Sequence, residues 1–202
     1  AVLRRIKVHI ISLEMSAEEV NNRLIQIHTG ISPLDIEKGA LKEHEIPLYS
    51  DACKELSKAT VTYDDSSEVN LALLRTKIRK AVANGAEVII IDQAEQVMIG
   101  GSGDSQPEYI KINYITYRIK AFAREMDVPI VLVHQMNRGV DAKERGKNPD
   151  PQLSDLAQAG EKAPDVVMML RTTLDPAFFF VKNRQGKKGR ADVKWEGHKI
   201  RF

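Results

Sequence analysis

The sequence has little cysteine and no long apolar run. Its single cysteine, Cys53, can form no disulfide within the chain, and a small half-buried side chain is a simpler interpretation of it than a catalytic thiol. No run of about eighteen apolar residues occurs, which excludes a membrane-spanning helix. Residues 1–12 are too few and too charged for a secretory signal. We therefore expect a soluble, cytoplasmic protein in a reducing compartment.

An excess of one charge is also absent. The chain has 30 Lys and Arg residues against 28 Asp and Glu residues, which leaves a formal net charge of +2. Whole-molecule charge therefore argues neither for nor against a nucleic-acid partner, and any basic surface must be local. The 202 residues, 43% of them hydrophobic, are enough for one well-buried core, so residues 1–202 are predicted to form one domain.

Short, β-branched apolar segments alternate with longer segments of helical period, which predicts parallel strands joined by crossover helices and an α/β fold. The predicted strands are 8–12, 60–63, 87–92, 129–134, 166–170, 178–182 and 191–195. Helices are predicted from Ser16 to His28, from after Ser67 to Asn84, and from Pro107 to Met126. The runs at 88–91 and 129–133 lack polar alternation, which predicts strands buried on both faces at the sheet centre.

Two acids follow predicted strands. The segment EVIIID delivers Asp92 to a strand end, and ligands of open α/β sheets bind beyond the carboxyl ends of the strands. An acid at that place can hold a magnesium-bound water, while an Asp that only caps the next turn is the alternative. Glu14 follows the strand in HIISLEMS, where a carboxylate can polarise an attacking water.

Polar and basic residues follow two further predicted strands. Gln135 comes just after PIVLV and is expected at the same sheet edge as Asp92, where it can sense a terminal phosphate or nucleic acid. Lys182 and Arg184 stand two residues apart at the end of FFFVKNR, which places both on one face. Such a cationic cluster can stabilise charge on transferring phosphate oxygens, and a solvated hairpin tip is the alternative.

Five ordered segments together resemble the motor domain of the DnaB family of replicative helicases over nearly the whole chain. They are SLEMS at 12–16, IIIDQAEQVM at 89–98, RIKAFAREMDVPIVLVHQMNR at 118–138, SDLAQAG at 154–160 and VKNRQGKKG at 181–189. The resemblance implies a RecA-like P-loop NTPase fold, with a mostly parallel twisted sheet flanked by helices and a C-terminal β-hairpin. It also implies ATP and Mg²⁺ as cofactors and a homo-hexameric ring around one DNA strand.

The resemblance implies roles for the candidate residues. Glu14 would be the water-activating carboxylate, Asp92 the magnesium-associated acid and Gln135 a residue that couples nucleotide to DNA. Lys182 and Arg184 would be fingers that reach the nucleotide of the neighbouring subunit. A helicase of this kind has single-stranded DNA, primase and a helicase loader as its expected partners.

The resemblance also implies that a loop around residues 154–162 grips the sugar-phosphate backbone of DNA. The DNA-binding residues that it implies are Arg138, Gln158, Ala159, Gly160 and Lys162. The chain departs from the family here, since Ala157 and Gln158 stand where an arginine and a glutamate are usual. Gln93 likewise stands where a tyrosine commonly follows the acid of the second nucleotide-binding motif.

No G-x-x-x-x-G-K-[ST] segment occurs in the 202 residues. Members of the family carry this phosphate-binding loop and its helix just before the strand that ends in SLEM. We therefore expect a longer natural protein, of which these residues alone do not hydrolyse ATP. Two alternatives stay open, a strand-exchange or regulatory RecA-like ATPase and a non-catalytic protein that binds a helicase ring or its partners.

Overall fold

The computed structural model describes residues 6–135, 150–156, 160–172 and 175–199. Four strands form a parallel sheet: β1 (Val8–Ser12), β2 (Val61–Asp64), β3 (Val88–Asp92) and β4 (Ile130–Leu132), in the order β2-β1-β3-β4. Three strands form an antiparallel sheet: β5 (Val166–Arg171), β6 (Ala177–Asn183) and β7 (Gly189–Asp192). The predicted α/β class with a C-terminal hairpin is confirmed.

Helices connect the strands of the parallel sheet. They are α1 (Ala17–Thr29), α2 (Pro33–Glu37), α3 (Glu45–Lys58), α4 (Leu71–Ala83) and α5 (Glu108–Glu125). Short 3-10 turns lie at 94–96, 101–105, 153–156 and 197–199. Among the described residues, no helix combines the length and apolar character that crossing a bilayer requires.

The start of α1 is set by a capping box at Ser16, the residue at which the sequence predicts the helix to begin. The hydroxyl of Ser16 accepts a hydrogen bond from the backbone N–H of Glu19, and the Glu19 carboxylate accepts one from the backbone N–H of Ser16. Gly30 ends the helix with φ of 85°, a left-handed conformation that glycine adopts without a steric penalty. The helix therefore begins close behind β1.

One face of the parallel sheet packs against α4 and α5 and forms the main core. Ile11 of β1 and Ile91 of β3 are fully buried, each at 0% exposure, and burying one such side chain contributes about 1.5–3 kcal/mol. The helices contribute apolar residues at three- and four-residue spacing, which are Leu74, Ile78, Ile115, Ile119 and Phe122. This core holds the carboxyl ends of β1 and β3 in fixed register.

The expectation that both apolar runs are buried on both faces is wrong for β4. In the described sheet β4 lies at the end of the strand order and pairs with β3, while β3 lies between β1 and β4. Val131 is 51% exposed and Val133 is 41% exposed. An apolar run shows that a segment avoids water but does not show which elements cover it, so the pattern could not distinguish this strand from a central one.

Candidate active site

The two acids predicted from sequence lie at one edge of the parallel sheet. β1 and β3 are parallel and in register, with Ser12 opposite Asp92. The backbone N–H of Leu13 donates to the carbonyl of Asp92 at 2.6 Å, and Glu14 follows immediately. The paired strands thus bring together carboxylates that are 78 positions apart in the numbering.

Gln93 connects the two strand ends through its side chain. Its Nε2 donates to Oε2 of Glu14, and the Asp92–Gln93 peptide bond is cis. The sequence marks Gln93 only as a departure from the family's usual tyrosine, so this contact is a finding of the structure. An amide donor here orients the carboxylate that is the candidate for polarising a water.

The electrostatics at Asp92 are those of a crowded acidic site. Burial, followed by the nearby carboxylates of Glu14 and Glu95, raises the pKa of Asp92 above its ordinary value, and Arg23 of α1 opposes the shift. We call Glu14, Asp92 and Glu95 the acidic edge. Its like charges repel each other, and a cation placed among them would relieve that repulsion.

The residues present fit a magnesium ion held in the way such sites usually hold one. Mg²⁺ keeps several waters and needs only one or two protein carboxylates when substrate phosphates supply the other ligands. Within the described part of the chain, no group of three or more His, Cys, Asp and Glu side chains is arranged to hold a metal by itself. Asp92, partly exposed and surrounded by negative charge, suits the first arrangement.

Gln135 lies at the same edge, held by the turn that follows β3. Its backbone N–H donates to Oε1 of Glu95 at 2.7 Å, and Nδ1 of His134 lies 2.6 Å from the same oxygen. Main-chain bonds join the same two segments, from Ala94 N–H to the Val133 carbonyl at 2.9 Å and from Val133 N–H to the Ile91 carbonyl at 2.9 Å. The ends of three neighbouring strands are therefore linked at this edge.

The carboxyl group of Glu95 is largely covered. Burial raises its pKa, but the hydrogen bonds from His134, from its own backbone and from Gln135 outweigh that effect, so the pKa is below its ordinary value. Its Oε2 is buried and has no hydrogen-bond partner among the described residues. Glu95 therefore stays ionised and acts as an acceptor for the segment that carries Gln135.

Lys182 and Arg184, which we call the basic pair, lie at the end of β6 and bind the turn before β5. Nζ of Lys182 donates to the carbonyls of Glu161 and Lys162 at 2.7 and 2.9 Å. A guanidinium nitrogen of Arg184 donates to the same Lys162 carbonyl at 2.8 Å. Burial and the neighbouring Arg184 lower the pKa of Lys182. Within the described residues, none of these contacts is to Glu14, Asp92 or Gln135.

Asp165 anchors the basic pair to helix α5. Its Oδ1 accepts from Arg184 at 3.1 Å, its carbonyl accepts from the Arg184 N–H at 2.9 Å, and its Oδ2 accepts from Lys120. Hydrogen bonding from Lys120, with the charges of Lys120 and Arg184, outweighs burial and lowers the pKa of Asp165. Sequence reasoning missed Asp165 and Lys120, because no local pattern links residues 45 positions apart.

Two of the five DNA-binding residues predicted from sequence are described. Gly160 is buried with φ of 87°, and a Cβ built there would lie 2.5 Å from Oγ1 of Thr116 on α5. Lys162 is exposed, and its carbonyl is the acceptor shared by the basic pair. Arg138, Gln158 and Ala159 lie outside the described residues. The structure thus links the predicted DNA segment to the predicted fingers.

Comparison with known proteins gives a family match over the whole chain. A model of the DnaB-like helicase C-terminal domain matches residues 1–202. The replicative DNA helicase DnaB of Nostoc is 32% identical over 173 residues, which are 84% of this chain and 19% of the relative. That of Rickettsia typhi is 29% identical over 166 residues, which are 81% of this chain. The chain spans 32% of the length of the Rickettsia protein.

Solved structures share the fold. One solved ATPase domain superposes with a TM-score of 0.86 at 21% identity, covering 100% of this chain and 75% of the other. A DnaB-like replicative helicase, solved in work on its interactions with primase, gives a TM-score of 0.84 at 21% identity. The superposition covers 98% of this chain and 50% of the helicase chain. The predicted RecA-like architecture is confirmed by these neighbours.

Proposed function

Because the chain belongs to the family of DnaB-like helicase C-terminal domains, we propose that it is the motor part of a replicative DNA helicase. In this proposal ATP hydrolysis drives movement along single-stranded DNA and unwinding of the duplex by a hexameric ring. The observation that carries it is the acidic edge, where Glu14 and Asp92 meet at the carboxyl ends of paired parallel strands beside Gln135.

The chemistry divides among the residues of this edge. Asp92 would hold Mg²⁺ through bound water, and the metal would supply charge neutralisation at the phosphate oxygens. Glu14, oriented by Gln93, would accept a proton from the attacking water. Gln135 would report the state of the nucleotide to the DNA-binding segment.

The basic pair would serve the neighbouring subunit of the ring. Cations that approach the transferring phosphate stabilise the charge of its transition state. Lys182 and Arg184 have their described contacts in the turn at 161–165 and none at the acidic edge of their own chain, which supports a role in trans. Arg138, Gln158, Ala159, Gly160 and Lys162 would form the segment that binds DNA, whose phosphates can be held without reading the base sequence.

The nucleotide phosphates would be held by a segment outside these residues. The 202 residues contain no glycine-rich phosphate-binding motif, and β4, at the end of the described strand order, carries the exposed Val131 and is followed directly by the exposed Val133. A further strand and its helix would cover such a surface. Primase and a helicase loader are further proposed partners.

The test is hydrolysis of Mg²⁺-ATP by the full-length protein, with and without single-stranded DNA. Glu14→Gln removes the proton acceptor and is expected to lower kcat by about 10²–10⁴-fold while Mg²⁺-ATP binding is retained. The matched control is Glu18→Gln, an exposed acid in the first turn of α1, which should leave kcat unchanged.

Hydrolysis that survives Glu14→Gln would contradict the assignment of the proton acceptor. A full-length protein that binds a helicase ring but neither binds nor hydrolyses ATP would instead favour the non-catalytic interaction protein. The missing phosphate-binding motif is the observation that keeps this second candidate in view.

A further inference from the structure

The short turn at residues 93–95 contacts the strand ends on both sides of Asp92. From one of its side chains, Gln93, a hydrogen bond runs to Glu14 beyond β1. The carboxylate of Glu95, in the same turn, accepts a hydrogen bond from the backbone N–H of Gln135 beyond β4 and lies against His134. The intervening Ala94 is fully buried at 0% exposure and donates its N–H to Val133. One turn therefore touches each of the three strands that carry the acidic edge and Gln135.

We propose that Gln93 and Glu95 are positioning residues, which set Glu14 and Gln135 at fixed distances from Asp92. This proposal rests on the proposed function and adds two residues to it. Gln93 acts on the water-activating group, and Glu95 acts on the group that couples the nucleotide to DNA. The two residues are therefore expected to have different kinetic signatures.

The kinds of contact explain why these residue types suit the task. The amide of Gln93 donates to a carboxylate without adding charge to an already acidic site, so Glu14 is oriented and Asp92 is not further repelled. Glu95 receives a main-chain N–H, so it fixes the path of the chain at Gln135 whatever the Gln135 side chain is doing. Its second oxygen is buried without a described partner, which costs free energy. An apolar residue of the same size would fill the space without that cost, so packing alone does not explain a glutamate here.

Hydrogen exchange tests the Glu95 contact without any catalysis. In the full-length protein, Glu95→Ala removes the acceptor, so the Gln135 amide should exchange about tenfold faster or more, while the amide of Ile91 in the core stays protected. Glu95→Gln keeps an oxygen acceptor and should preserve the slow exchange. Should Glu95→Ala not fold, Glu95→Met takes its place, because it fills the same space without an acceptor. Equal exchange at Gln135 in all these proteins would overturn the proposal.

Kinetics then separate positioning from a general structural role. Gln93→Ala should lower kcat about tenfold or more with and without DNA, since displacing a catalytic group by about 1 Å can cost 10²-fold. Gln93→Glu, which places a carboxylate against Glu14, should lower it further. Glu95→Ala should reduce the stimulation by DNA more than the rate without DNA, and Glu95→Gln should restore the stimulation. KM for ATP should change less than about twofold in each variant.

The exposed acid Glu37 of α2 supplies the control, and Glu37→Ala should match the parent in every measurement. Equal losses from Gln93→Ala and Glu95→Ala under both conditions would show a structural role only and would refute the proposal. If the parent protein hydrolyses no ATP, the proposed function fails, and the exchange of the Gln135 amide still decides whether Glu95 positions that segment.

Discussion

The acidic edge and the basic pair lie at the ends of strands in two different sheets. The charges of the acidic edge repel one another, whereas those of the basic pair are stabilised by hydrogen bonds. At the acidic edge, burial and two neighbouring carboxylates raise the pKa of Asp92, so ionisation of that group costs free energy. At the basic pair, Lys182 and Arg184 are each bonded to main-chain carbonyls, and Arg184 is also bonded to Asp165.

The two sites therefore differ in what a ligand would change. A cation would neutralise charge at the acidic edge, whereas a new acceptor would compete with the acceptors that the basic pair already has. A cation at the acidic edge lowers the repulsion among groups already in place, so binding and stability should rise together. The side chains of the basic pair already have acceptors in the turn at 161–165, so moving to a phosphate elsewhere would break those hydrogen bonds. The acidic edge is formed within this chain, while under the proposed function the basic pair would have to leave its present acceptors to reach the nucleotide of a neighbouring subunit.

Among single substitutions, loss of the Arg184 side chain is expected to change the activity most. Arg184→Ala in the full-length protein should abolish DNA-stimulated hydrolysis, by roughly a thousandfold or more and equivalent to about 4 kcal/mol or more, while nucleotide binding stays intact. Steady-state hydrolysis and nucleotide titration measure the two quantities. Lys188→Ala removes an equal charge from the adjoining exposed turn and should have little effect. Parent-like turnover in Arg184→Ala would remove the finger assignment.

At the acidic edge, a substitution of Asp92 is expected to change the free energy of unfolding by a smaller amount. Because the pKa of Asp92 is raised in the folded state, its ionisation destabilises the fold above the ordinary pKa of 3.8. Asp92→Asn removes this cost and should raise the free energy of unfolding at pH 7 by about 0.5–1 kcal/mol, after allowing for solvent screening of a half-exposed carboxylate. Denaturant unfolding without magnesium measures it.

The sign of the pH dependence is fixed by that shift. The advantage of Asp92→Asn should shrink as the pH falls through the folded-state pKa of Asp92 towards 3.8, where the parent carboxyl becomes neutral. Magnesium should stabilise the parent more than the variant. A variant less stable than the parent at pH 7 without magnesium would show that the acidic edge is not under charge repulsion.

The smallest effect concerns the anchor of the basic pair. Asp165→Asn weakens the bonds to Lys120 and Arg184 and should lower the free energy of unfolding by no more than about 0.5 kcal/mol, because the groups are partly exposed and screened by salt. The pKa of Asp165 is lowered, so its contribution is present above 3.8 and is lost as the pH falls below that value. Thermal melts at pH 7 and pH 3 measure the difference, which should be smaller at the lower pH.

Much of the fold follows from patterns within the sequence. The apolar stripe of α5 and the N-cap serine of α1, Ser16, predict those helices within one or two residues, because both signals are local. Helix α3 was not predicted, although Pro47 lies in its first turn, where proline is tolerated. The exposure of β4 was also missed, because it depends on which elements lie beside that strand.

For the candidate site, the sequence predicts which residues lie at the ends of strands. It does not predict the contacts between their side chains. Parallel strands end at one edge, so Glu14 and Asp92 could be expected together without knowledge of any contact. The contacts from Gln93 to Glu14 and from Gln135 to Glu95 join residues 79 and 40 positions apart. Such bonds depend on strand order and register, which a single sequence does not specify.

The acceptors that hold Lys182 and Arg184 are carbonyls of the polypeptide at positions 161 and 162, and no change of side chain at those positions deletes them. Side-chain substitutions at Glu161 and Lys162 therefore cannot report how strongly the release of the two cations depends on these carbonyls, whatever else those side chains do. Only an edit of the backbone itself, such as an inserted residue or an ester in place of the amide, would make that dependence visible.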